Sequence, residues 1–263
     1  MRYYLPFKLR ERKEFTKPLG PSFARAKTVK FEMDKEVLKL KLPPHSPFRR
    51  EFREFPPIST IDLDRVGIYN QNHHLDGWRD GYVLSRSWRF VGPWFTGSAA
   101  NLHAAVCVSK MAQAGKSLLE PKNFESALVG RINQMYGNET FQGEPSWVPP
   151  KVWKVRANFP VPCLVYTVLP IGGGDPVLDC AFPIRPDVLA TVRFYQHQLL
   201  NGSLEEKDAL VSRDSMIELA NEIIESIELV PSDNLKAQID SVRLKDRNAQ
   251  LNSAPPEFTW PMS

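Results

Sequence analysis

The stretch Trp78–Lys110, WRDGYVLSRSWRFVGPWFTGSAANLHAAVCVSK, decides how the rest of the chain is read. From Tyr82 to Val91 the residues alternate. Tyr82, Leu84, Arg86, Trp88 and Phe90 are assigned to one side, and Val83, Ser85, Ser87, Arg89 and Val91 to the other. A period of two is that of a β-strand with one buried face. Gly92-Pro93 and Gly97-Ser98 interrupt the run, and a second alternation follows with Leu102, Ala104, Val106 and Val108 on one side. The stretch therefore predicts two long antiparallel strands at the centre of a sheet.

Working outward, KTVKFEMDKEVLKLKLP reads as a β-hairpin turning at Asp34-Lys35, with lysines on its outer face. Such lysines discourage edge pairing if the hairpin lies at the rim of the sheet. On the other side, Phe124, Leu128, Ile132 and Met135 trace a helical stripe that Asn123 can cap and Gly137 can end. Three strand-like runs follow, VWKVRANFP, CLVYTVLPI and VLDCAFPIRP, with IGGGDP as a turn between the last two. DVLATVRFYQHQL fits either element, and its β-branched and aromatic content favours a strand. SRDSMIELANEIIESIEL is a clear amphipathic helix, capped by Ser212, with Met216, Leu219, Ala220, Ile223 and Ile227 inward. A short helix is expected at Asn234–Lys245.

Runs of strands broken by helices predict an α+β fold, a central antiparallel β-sheet with two or more helices packed against it. The expected organisation is an irregular basic lead-in over 1–26, a single domain over 27–230 and a C-terminal extension over 231–263. With 42% apolar residues in 263, the chain can bury a substantial core. No apolar run reaches the roughly 20 residues of a membrane span, and the first residues lack a secretory apolar stretch. A cytoplasmic protein is expected. Cys107, Cys163 and Cys180 are odd in number and set in apolar runs, which suits buried free thiols.

Charge is uneven. Residues 1–57 hold 15 Lys/Arg against 7 Asp/Glu, whereas the other 206 hold 19 against 23. A basic arm can meet nucleic acid, an anionic membrane surface or an acidic protein. PPHSPFRREFREFPP adds arginines interleaved with phenylalanines, a pattern able to stack bases. Yet Phe48, Phe52 and Phe55 share one helical face, as in a connector pinned to the body, and nothing continues a nucleic-acid track.

Catalytic motifs are absent. There is no GxSxG, P-loop, GxGxxG or HExxH, and no cofactor fingerprint. His73, His74 and Asp76 suggest metal ligands, but adjacent histidines on extended chain point apart. His103, between Leu102 and Ala104, reads as a hydrogen-bonded sheet residue rather than a base.

The expectation is a non-enzymatic protein-binding protein with a protein partner and no cofactor. Its best instance is a bacterial immunity protein that neutralises a toxic or secreted effector by stoichiometric binding. A hydrolase or transferase drawing on His73, His74, His103 and Asp76 is the alternative, and an effector chaperone or adaptor a second. Interface anchors favour aromatics and arginine, so Trp78, Arg79, Trp94 and Phe95, at strand ends and turns, are the candidate contacts.

Overall fold

The computed structural model describes residues 14–47, 59–69, 77–93, 96–112, 115–141, 143–151, 153–245, 250–258 and 260. Within them the chain forms strands β1 (Lys27–Met33), β2 (Glu36–Leu42), β3 (Thr60–Ile61), β4 (Trp78–Val91) and β5 (Ser98–Met111), then helix α1 (Pro121–Ile132). Short strands β6 (Thr140–Phe141), β7 (Glu144–Pro145), β8 (Trp147–Val148) and β9 (Trp153–Val155) precede β10 (Leu164–Pro170), β11 (Val177–Arg185) and β12 (Val188–Gln198). Helices α2 (Leu204–Leu210) and α3 (Asp214–Glu225), strand β13 (Glu228–Val230) and helix α4 (Asp233–Lys245) complete the order.

The fold is α+β. A seven-stranded antiparallel sheet runs β4-β5-β12-β11-β10-β8, with β9 also on β10. Fourteen-residue β4 and β5 form its long hairpin. The ambiguous DVLATVRFYQHQL segment is β12, paired with β5 over its full length. A smaller sheet runs β13-β2-β1-β3. The β1–β2 hairpin therefore sits between flanking strands, not at a rim. Asp34 turns it at φ 57, an uncommon conformation for a non-glycine. Its carboxylate accepts from the Leu63 amide at 3.0 Å and from Arg185 at 3.0 Å, and these bonds hold the turn against the large sheet.

One face of the large sheet is apolar. Leu84, Val106, Val192 and Cys180 meet Phe31, Leu38, Leu40, Met216, Leu219, Ile223 and Ile227 in one continuous core. Helix α4 adds Leu235 and Ile239 to it, and Glu36 receives the Ser232 amide and hydroxyl just before that helix. The α3 stripe is buried as its periodicity predicts. The helix begins after Arg213, while the Ser212 hydroxyl still accepts from the Asp214 amide at 3.0 Å.

On the other face, α1 and the π-turn 133–137 cover only part of the sheet. Phe124, Leu128, Ile132 and Tyr136 pack there with Trp78, Trp153, Tyr166 and Trp260. Helix α1 starts three residues earlier than an Asn123 cap implies, because Pro121 suits the first helical position. Asn123 instead lies inside the first turn and donates to Glu120 at 2.6 Å. Gly137 ends the helical segment where a Cβ would stand 2.7 Å from the Trp260 ring.

Two extra segments hydrogen-bond to the outer edge of β4. Leu19 exchanges backbone bonds with Val91, and Ser46 bonds Ser87 and Arg89. Thr16 pairs with Val211.

Candidate functional site

A β-bulge sets the geometry of the partly covered face. Tyr82 pairs with Cys107 and Leu84 with Val106, so two steps on β4 oppose one on β5. The alternation expected from the sequence slips there: Val83 and Leu84 are both buried, and Tyr82 stands on the opposite face from Leu84. Tyr82 is 53% exposed although its cross-strand partner Cys107 is buried.

Beyond the bulge, register places Ser85, Ser87 and Arg89 of β4 on the same face as His103 of β5 and Tyr195 and His197 of β12. Tyr82, Arg89 and half-buried Ser85, His103, Tyr195 and His197 line an open strip beside the α1 cluster. The His103 ring is bracketed by serines, with Ser87 Oγ 2.8 Å from Nδ1 and Ser85 Oγ 3.4 Å from Nε2. Tyr195 lies tilted against it at 5.7 Å. Burial, with a smaller contribution from His45, holds His103 below the ordinary histidine value. A neutral imidazole donates from one nitrogen and accepts at the other, which matches one serine on each side. His197 Nδ1 rests 2.9 Å from both Asp175 carboxylate oxygens.

Where the strip runs under α1, its floor is ionic. Arg193 makes a two-pronged bond to Asp179 at 2.8 and 2.7 Å, and the Tyr166 hydroxyl donates to the same carboxylate at 3.0 Å. Asp179 is fully buried. Paired charge-assisted N–H···O bonds of this kind are roughly twice as strong as neutral ones and fix the geometry of both groups. The neighbouring Arg131 pairs with Asp80 at 2.8 Å and stacks over Trp78.

Of the predicted contact residues, Trp78 and Arg79 lie among the described residues and face opposite sides of β4. Trp78 is 7% exposed and belongs to the α1 cluster, whereas Arg79 is exposed on the opposite face of β4, opposite Lys110. Trp94, Phe95, His73, His74 and Asp76 lie outside the described residues, as do Phe48, Phe52 and Phe55. The thiols are buried and free. Burial pushes Cys107 up to about 12 and raises Cys163 as well, so neither is a nucleophile near neutral pH. Among the described residues no helix is long and apolar enough to cross a membrane, and no group of three or more His, Cys, Asp or Glu could hold a metal ion.

Sequence reasoning missed Tyr82, Tyr195 and the Arg193–Asp179 pair. A signal for the last was present, since a lone carboxylate within VLDCAF has to be paired if buried. No family model matches the chain, and no curated protein or solved structure matches it at a significant level.

Proposed function

We propose that this is a non-enzymatic protein-binding protein that meets its partner through the open strip on β4, β5 and β12. The observation that carries the reading is Tyr82, a large aromatic turned outward by a bulge and left 53% exposed. Bulges re-aim side chains beside functional surfaces, and tyrosine gives large contact area at small entropic cost. Ser85, His103 and Tyr195 beside it supply adaptable hydrogen bonds of the kind binding surfaces use. The best instance of such a protein is a cytoplasmic bacterial immunity protein that covers a toxic effector stoichiometrically; an effector adaptor would present the same surface.

The Ser85–His103–Ser87 arrangement favours a second reading, a hydrolase with Ser85 as nucleophile and His103 as base. Against it, no carboxylate bonds His103 among the described residues. Backbone amides of paired strands are also spent on the ladder rather than free for an oxyanion.

Co-purification and calorimetry with the product of the adjacent gene test the proposal. Tyr82→Ala should weaken the complex by about 2 kcal/mol or more, with folding stability nearly unchanged. Arg79→Ala, on the opposite face, should matter only if the interface wraps the sheet edge. Substrate turnover abolished by His103→Ala, with no protein bound, would replace this reading by the hydrolase.

A further inference from the structure

A cavity of about 570 Å³ opens between α4 and the loop 156–163, away from the strip. Its volume lies within the range of small-molecule sites. The walls are mostly apolar, including Leu119, Phe159, Val161, Ile239 and Val242. Two cations, Arg156 and Arg243, also line it, and among the described residues no acidic side chain does.

Arg156 is held in place, with one guanidinium nitrogen left unpaired among the described residues. Its guanidinium lies 4.9 Å over the Phe159 ring. A carboxylate oxygen of 60% exposed Glu225 is 3.9 Å from Nη2, an ion pair too long for a hydrogen bond. Its Nη1 is buried with no hydrogen-bond partner among the described residues. Arg243 enters from α4 and donates to the Pro160 carbonyl at 3.3 Å. The Arg156 side chain keeps 14% of its surface open, and an incoming carboxylate meeting it gains charge-assisted bonds.

We infer that this cavity binds a small monocarboxylate with an apolar body, the carboxylate on Arg156 and the chain along the Phe159–Val161–Ile239 wall. A free phosphate fits less well, since it would leave the apolar walls unfilled while giving up strong hydration. The site is independent of the protein-binding strip, and its test needs no protein partner.

Calorimetric titration of the full chain with decanoate below its micellar concentration, against decan-1-ol and inorganic phosphate, decides it. Saturable one-to-one binding of decanoate is expected, with decanol weaker by about tenfold or more and phosphate not bound. Arg156→Gln should weaken decanoate by about tenfold and leave decanol unchanged. Ala157→Trp, at an exposed position on the lining, should abolish both while the unfolding transition stays in place. Equal affinity for decanol and decanoate, binding that survives Ala157→Trp, or no saturable decanoate binding would overturn the assignment.

Discussion

The two faces of the large sheet are built on different physics. One is covered by α3, α4 and the small sheet; Leu84, Val106, Val192, Met216 and Ile223 close most of it, with buried Gln196 and Gln198 hydrogen-bonded at one end. The other carries an aromatic cluster at one end, a buried ion pair beneath it, and then the open strip of Tyr82, Ser85, His103 and Tyr195. The first face resembles the interior of any well-packed domain. The second keeps an ion pair inside the protein at a cost in desolvation, and leaves other polar groups partly exposed. Apolar burial and partly exposed polar groups are thus divided between opposite sides of the same strands.

The largest expected effect tests the ion pair. Asp179→Ala should destabilise by about 3–5 kcal/mol, because it strands the Arg193 guanidinium in the interior. The double change Asp179→Leu with Arg193→Met should recover much of that loss in denaturant unfolding. Failure to recover it would mean the pair contributes more than the offset of its own burial.

On the apolar face, Ile223→Ala should cost about 2–5 kcal/mol, from lost burial plus an unfilled cavity. Ile223 is fully buried in α3. A loss below about 1 kcal/mol would erase the contrast between the faces.

A smaller, pH-dependent effect belongs to His103. Its folded value lies below the ordinary 6.5, chiefly through burial. The unfolded chain therefore takes up this proton first. The associated stability is complete above 6.5 and is lost as pH falls from there through the folded value. Protonation also turns both ring nitrogens into donors, so Ser85 and Ser87 must both accept. Unfolding measured between about pH 7 and pH 5 should show this loss, and His103→Gln should flatten it.

The smallest expected effect is at Tyr82. Tyr82→Ser should change stability by no more than about 0.5 kcal/mol, as for a surface position. A larger loss would make Tyr82 part of the fold rather than of a recognition surface.

Legibility followed periodicity. The β1–β2 hairpin, β4, β5 and α3 announce themselves because one face of each is apolar at a period of two or 3.6. The bulge does not, since Val83-Leu84 is apolar in either phase and counting alternate residues passes over the extra one. Strict alternation therefore puts Tyr82 on the same side as Leu84, whereas the bulge sets them on opposite faces. Asp179 and Arg193 are fourteen positions apart in sequence and adjacent only through the β11–β12 register, which no local pattern specifies. Trp78 and Arg79 are neighbours in sequence, yet a strand sends consecutive side chains to opposite faces.

The segments at Leu19 and Ser46 have a consequence for the molecule in a crowded solution. A bare strand edge is a template on which a second copy can add itself, backbone to backbone. Near Ser87, Arg89 and Val91 the amides and carbonyls that would recruit a neighbour are already occupied by this chain's own residues. Removing those segments would leave the sheet's interior packing in place and free the edge for self-association. Light scattering would then register the change before circular dichroism did.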